Sequence, residues 1–286
     1  QKIIVRRDDM NKIVVRMVGA YLNTLAYLNP PYAARKGFEI FCWPQRIKMK
    51  PHQLDFLNTA KEKFTVEYAQ KRVQAYKWGH GSKVVLLLHG WQSHSYWWRY
   101  VINAIPKDRY TIISLDAPGH GLSEGDFLNL PHYAGLIESF VNTHSSIEAI
   151  LSHSFGSFAT IYALHQNATM PVQKIVVMAA PGEVEFFFNY YRQLLGLNSR
   201  VTELITNHFI STIGHAPSYF KIKDFASTIK IPGLIIHDTE DEEAPYKNAV
   251  EMNSAWKSSH LITTQGLGHH LKSKELVEQV VDYLGR

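Results

Sequence analysis

Between residues 83 and 264, short and unbroken apolar runs recur, separated by helical stretches. Lys83–Leu88 (KVVLLL), Tyr110–Leu115 (YTIISL), Ile147–Leu151 (IEAIL), Lys174–Met178 (KIVVM), Gly233–Ile236 and His260–Thr264 are the runs. A strand buried on one face alternates apolar with polar residues; a run that is apolar throughout is buried on both faces, as in a parallel sheet covered by helices. Helical patterns fall near 95–105, 131–144, 156–166 and 246–256, with a last one at about 271–284. This alternation predicts an α/β fold with a mostly parallel sheet and helices on both faces. Ahead of it, Phe64–Tyr68 and Val73–Trp78 alternate like a strand pair that turns at Gly79–Ser82.

The 286 residues, 45% apolar and 19% charged, allow one or two domains with a sizeable core and exclude disorder as the main state. Cys42 is the only cysteine, so no internal disulfide can form, and a reducing compartment, the cytoplasm, is expected. The longest apolar candidate, Ile13 to Leu28, is broken by Arg16, Asn23 and Thr24 and falls short of a membrane span. His94, His120, His153 and His237 form no i, i+4 metal pair, no phosphate-binding loop is present, and no G-x-G-x-x-G follows a strand. No metal, cofactor or nucleic-acid partner is therefore expected. Residues 1–80 hold 15 Lys/Arg against 6 Asp/Glu, net +9, and residues 81–286 hold 15 against 19, net −4. This basic lead reads as a solvated face of a helical extension.

That extension is expected to span residues 1–61. Ile13, Val14, Met17, Val18, Tyr21, Leu22, Leu25 and Leu28 recur at helical spacing, Asp8 or Asp9 can cap the helix, and Pro30-Pro31 ends it. A second helix is expected over 32–41. The face formed by Ile13, Met17, Tyr21, Leu25 and Leu28 is expected to pack on the protein's own surface, shaping access to the site. The rival reading is reversible contact with a membrane surface through Lys2, Arg6, Arg7, Lys12 and Arg16. About fifty residues separate the strand ending near Ala180 from the one starting near Pro232, too many for a structureless loop. Rich in Phe186, Phe187, Phe188, Tyr190 and Tyr191, they predict a helical cap insert over 182–228, above the sheet edge where open α/β sheets bind ligands. The core is then 62–181 with 229–286.

Four loops carry chemistry. Ser152-His153-Ser154-Phe155-Gly156 follows a buried strand and opens a helix, the context of a nucleophile on a sharp turn. Gly156 supplies one small neighbour, and Ser152 stands where glycine is usual. His89-Gly90-Trp91-Gln92 follows KVVLLL, so a backbone N–H of this turn and that of Phe155 can stabilise an oxyanion above Ser154, with His89 bracing the loop. After GLIIH come five carboxylates within six residues, Asp238 to Glu243, and after HLITT come His269 and His270. The loops follow late neighbouring strands and can supply an acid and a base; spacing alone does not choose among their members.

With DAPGHGLSEG at 116–125, these blocks make residues 62–286 resemble the α/β-hydrolase superfamily, in particular its serine esterase and lipase-like members of bacterial type. The resemblance implies Ser154 as nucleophile, Asp241 as acid with Asp238 as the alternative, and His269 as base. It also implies oxyanion donors at Trp91 and Phe155, and structural roles for Asp116 and Ser123. A serine at the turn argues against dehalogenase and epoxide-hydrolase chemistry. The implied activity is hydrolysis of a small-molecule carboxylic ester, with a small to medium apolar acyl part, through an acyl-enzyme. The alternative is a ligand-binding or signalling protein that retains the triad.

Overall fold

The computed structural model describes residues 7–286, and Lys2 and Arg6 lie outside it, as do the side chains of Arg7, Asp8, Asp9 and Lys12. In chain order the elements are α1 (Arg7–Leu28), α2 (Pro30–Phe41), α3 (Pro51–Leu57), β1 (Glu62–Tyr68), β2 (Lys71–Gly79), β3 (Lys83–Leu88), α4 (Arg99–Ala104), β4 (Tyr110–Leu115) and α5 (Leu130–Val141). There follow β5 (Ile147–His153), α6 (Phe155–Gln166), β6 (Val172–Met178), α7 (Val184–Leu195), α8 (Ser199–Ile213), α9 (Ile222–Ala226), β7 (Gly233–Asp238), α10 (Lys247–Ala255), β8 (Ser259–Thr264) and α11 (Lys274–Gly285). They form two compact units: residues up to Trp43 with Glu183–Lys221, and Pro44–Gly182 with Ile222–Arg286.

The larger unit holds an eight-stranded sheet in the order β1-β2-β4-β3-β5-β6-β7-β8. β1 and β2 form an antiparallel pair, β2 runs antiparallel to β4, and every later pairing is parallel. Val85, Leu86, Leu87 and Leu88 are all buried, so both faces of β3 are covered. Val85 and Leu87 share a cluster with Leu57 of α3, Ile102 of α4 and Val280 of α11. Leu86 and Leu88 point to the opposite face. Strands alternating with helices thus give the expected mostly parallel, helix-flanked sheet.

Several details differ from the sequence expectation. The helix near 95–105 begins as a single 3₁₀ turn, Ser95–Trp98, before α4. α3 was not evident from apolar periodicity, because its seven residues make barely two turns. α11 starts at Lys274, where the Ser273 side chain accepts the Leu276 N–H; the residues before it belong to the loop carrying His269. α1 is described from Arg7 onward, and the side chains of Asp8 and Asp9, expected to cap it, lie outside the described residues. Pro30 and Pro31 open α2, whose N-cap Asn29 accepts from the Tyr32 N–H; a proline in the first turn removes no helical hydrogen bond.

In the smaller unit α1 and α2 pack with α7 and α8. The buried stripe of α1 is Gly19, Leu22 and Ala26; Ile13, Val14, Met17, Tyr21 and Leu28 are exposed. The face expected to be covered is thus mostly not the one the fold covers. Residues 13–28 carry a single charge, at Arg16, so α1 is apolar nearly all round and offers more than one stripe. Small residues decide between them. A β-carbon on Gly19 would sit 1.7 Å from the Leu195 carbonyl oxygen, so only glycine permits this approach of α7. Asn23, which interrupts the apolar run, clamps the α7–α8 turn: its Nδ2 donates to the Gly196 carbonyl at 2.9 Å and its Oδ1 accepts the Asn198 N–H at 2.9 Å. Gly19→Ala is expected to push α1 off α7 and lower stability by about 1–3 kcal/mol, read from the urea midpoint.

Candidate active site

Ser154 stands between β5 and α6 with φ 51° and ψ −122°, a conformation that L-residues avoid. The turn is tight because α6 starts against the end of β3: a β-carbon on Gly156 would meet the carbonyl oxygens of His89 at 2.6 Å and Leu88 at 2.8 Å. Ser152, at the position where glycine is usual, is fully buried and donates its hydroxyl to the Val176 carbonyl at 3.1 Å. That bond removes the cost of burying a hydroxyl there.

The β3 turn passes directly beside Ser154. A β-carbon on Gly90 would sit 2.8 Å from Ser154 Cβ. Two buried histidines hold this turn. His89 donates through Nδ1 to the Gly90 carbonyl at 2.7 Å and accepts the Ala117 N–H on Nε2 at 2.9 Å. His120 donates through Nδ1 to the Pro118 carbonyl at 3.0 Å and accepts the Gln92 N–H on Nε2 at 3.0 Å. A ring nitrogen that accepts must be unprotonated, so both rings are neutral. Burial pushes each down to about 3, with mutual repulsion adding to it at His120. The Gln92 N–H is thereby committed. Among the described residues, the N–H groups of Trp91 and Phe155 have no protein acceptor. Their rings meet edge to face at 5.4 Å and 88°, making an aromatic wall beside these donors.

Opposite, Ser154, His269 and Asp241 form one hydrogen-bonded chain. His269 Nε2 lies 3.0 Å from Ser154 Oγ, and its Nδ1 lies 2.8 and 3.1 Å from the Asp241 carboxylate oxygens. Asp241 Oδ1 also accepts the N–H groups of Glu243 and Ala244, each at 2.9 Å. His237 Nε2, which donates to the Ala244 carbonyl at 2.7 Å, stands 3.3 Å from Asp241 Oδ2. Burial alone would raise the Asp241 carboxyl; the bonds from His237, His269 and Ala244 outweigh it and hold it well below the usual carboxylate range.

Asp238, the other acid considered, serves a different purpose. Its Oδ2 accepts the Leu267 N–H at 2.9 Å and the Thr264 hydroxyl at 2.8 Å, and its Oδ1 accepts the Glu240 N–H at 2.9 Å, tying the acid loop to the histidine loop. His270 is exposed and makes no hydrogen bond to Ser154 or Asp241. Glu243 approaches His269 Nε2 only to 3.8 Å and is largely exposed. Among the described residues no cluster of three or more His, Cys, Asp or Glu side chains has metal-holding geometry.

His120, His153 and His237 carry no metal-ligand spacing in the sequence. All three are buried, and each supports a loop of the site. His153 stacks on Trp97 at 4.1 Å and donates from Nε2 to the His269 carbonyl at 2.8 Å, so the residue before Ser154 fixes the backbone of His269. Burial, then the nearby His269, pushes its ring down to about 3. No local pattern marks such roles, because each partner is distant in sequence or lies on a turn whose course only the fold defines. The DAPGHGLSEG loop has a similar hidden clamp: Arg46 donates to the carbonyls of Gly121, Ser123 and Gly125. Inside that loop Asp116 is fully buried; Oδ1 accepts from the Ser95 N–H and hydroxyl, and Oδ2 from the Leu122 N–H and the Tyr76 hydroxyl.

Residues 85–273 match the family model of the alpha/beta hydrolase family. The AB hydrolase superfamily protein YisY of Bacillus subtilis is 24% identical over 246 residues, covering 71% of this chain and 91% of that protein. A bromoperoxidase from Bacillus anthracis superposes with a TM-score of 0.62 at 16% identity, covering 79% of this chain and 100% of that one. The esterase EaEST from Exiguobacterium antarcticum gives 0.60 at 16% identity, again covering 79% and 100%. Likeness at this identity is a likeness of fold.

Asp116→Asn turns one of the two acceptor oxygens into a donor facing donors. It is expected to cost about 1–3 kcal/mol in urea unfolding, more than Asp→Asn at the exposed Asp126.

Proposed function

Because the chain belongs to the alpha/beta hydrolase family, we propose that it is a serine hydrolase that cleaves a carboxylic ester with an apolar acyl group. The observation that carries this reading is the Ser154–His269–Asp241 chain, with two uncommitted backbone N–H groups beside the serine. The aromatic rings of Trp91 and Phe155 beside those donors favour an apolar acyl group over a charged one.

In this proposal His269 Nε2 takes the Ser154 proton as Oγ attacks the ester carbonyl carbon. The oxyanion of the tetrahedral intermediate accepts the N–H groups of Trp91 and Phe155, each donor contributing about 3–4 kcal/mol in comparable sites. Asp241 keeps the Nδ1–H tautomer and stabilises imidazolium. Collapse breaks the bond to the alcohol oxygen, which leaves with the proton from His269. Water then adds to the acyl-enzyme, giving its proton to His269, and a second collapse frees the acid and restores Ser154.

The test is steady turnover across p-nitrophenyl esters from acetyl to palmitoyl. Ser154→Ala is expected to cut kcat about 10⁴-fold or more with the fold intact. Retention of a tenth of the activity would exclude Ser154 as nucleophile. Asp241→Asn is expected to cost about 10³–10⁴-fold, and Asp238→Asn far less, its loss showing chiefly as a looser histidine loop. A reversed ranking would move the acid to Asp238. No turnover on any ester, with Ser154 still labelled by a fluorophosphonate, would favour the ligand-binding alternative.

The pH profile has a defined sign. Only neutral imidazole can take the serine proton, so the rate is expected to rise with pH through a single limb. Asp241, held low, and His89, His120 and His153, pushed to about 3, stay in one protonation state through the neutral range. A second limb near neutrality, measured as log(kcat/KM) against pH, would contradict this assignment.

A further inference from the structure

We propose that the smaller unit docks on an anionic phospholipid surface through the exposed face of α1. That face presents Ile13, Val14, Met17, Tyr21 and Leu28, with Met17 66% and Leu28 76% exposed. It contains no charged residue between 13 and 28, since Arg16, the one charge there, sits on the edge toward α7. A contiguous apolar face on a helix whose other side is already packed needs a partner.

The charges around the face say which partner. Along one edge, the Arg16 guanidinium lies against Gly196 at the end of α7, and Arg200 stands over the Tyr27 ring at 4.8 Å. Along the other edge, Tyr21 lies beside Tyr32 of α2, Arg35 lies over the Tyr32 ring at 5.4 Å, and Lys36 follows in the same helix. The one acid beside them, Glu39, is paired with Arg35 and Lys36. An apolar stripe between two cationic edges, with tyrosines at both, suits a helix lying in the headgroup plane: aliphatic side chains enter the acyl boundary, and the guanidinium and ammonium groups reach the phosphates. A second copy of the same face would instead bring like-charged edges together. Up to residue 43 the sequence adds three further basic residues N-terminal to residue 8, Lys2, Arg6 and Arg7, beside Asp8 and Asp9. No helix among the described residues is long and apolar enough to cross a membrane, so contact would lie in the surface plane.

The test uses the full chain with phosphatidylcholine vesicles, with and without phosphatidylserine, in a sedimentation assay. Binding is expected with phosphatidylserine, weakening as salt rises and on removal of the anionic lipid. The double variant Met17→Glu/Leu28→Glu, at exposed positions of the smaller unit, is expected to bind at least about tenfold more weakly. It should keep the parent urea midpoint and its turnover of a soluble ester. Arg16→Gln with Arg200→Gln should weaken only the phosphatidylserine-dependent part. Failure of the intact chain to bind, or equal binding to pure phosphatidylcholine, would overturn the proposal. So would self-association that the double glutamate variant abolishes, since a second copy would then cover the face.

Discussion

Ser154 holds a backbone conformation that its own β-carbon resists, and the rest of the site is arranged around that residue. Positive φ at a non-glycine residue costs of order 1–3 kcal/mol and persists only where its surroundings leave no alternative. Here they are the end of β3, which Gly156 lets α6 approach, and β6, whose Met178 carbonyl accepts the Ser154 N–H at 2.8 Å. The turn lifts Oγ above the strand ends, where the loops after β7 and β8 deliver Asp241 and His269. It also leaves the Phe155 N–H at the open first turn of α6, without a protein acceptor. One strained residue thus lies at the origin of both the placement of Ser154 Oγ beside His269 and the uncommitted N–H of Phe155.

Neutral histidines supply the stiffness around this turn. A protonated imidazole has no acceptor, so His89 and His120 can bind the N–H groups of Ala117 and Gln92 only while uncharged. Burial keeps them uncharged, so the packing that shapes the loop also sets its electrostatics. The same logic separates the carboxylates of the acid loop. Asp238 and Asp241 are both buried and both collect backbone N–H bonds, yet only Asp241 faces a ring nitrogen of His269. Asp238 spends its oxygens on Leu267 and Thr264, holding the loop that must present that ring.

What could be read from residues alone follows the range of the interactions involved. KVVLLL and its central counterparts announce a doubly covered parallel strand because burial on both faces leaves its mark on every residue; His260–Thr264 forms the edge strand β8, where no residue is fully buried. The loops that carry Ser154, Asp241 and His269 were legible because each follows such a strand, whereas spacing left Asp238 open beside Asp241 and His270 beside His269, and only the family resemblance chose between them. The clamps were not: Arg46 reaches three carbonyls of a loop more than seventy residues away, and His153 holds the carbonyl of His269 across 116 residues. Nothing in a local window distinguishes these side chains from solvated ones. α1 shows the converse failure. Its periodicity identified a helix correctly but could not say which of its apolar stripes would be buried, because small residues, not large ones, decided.

That choice has a consequence for how the two units of the chain differ. In the larger unit the residues of β3 that point to either face are covered, and the fully buried Asp116 of its loop is bonded through both carboxylate oxygens. The smaller unit spends Gly19, Leu22 and Ala26 on α7 and α8 and leaves larger side chains, Met17, Tyr21 and Leu28, outside. Burying small residues brings helix axes close and gains dispersion contacts along the backbone, whereas burying the large ones would remove more apolar area from water. The exposed stripe, flanked by Arg16 and Arg200 on one edge and by Arg35 and Lys36 on the other, is the area on which the proposed docking rests.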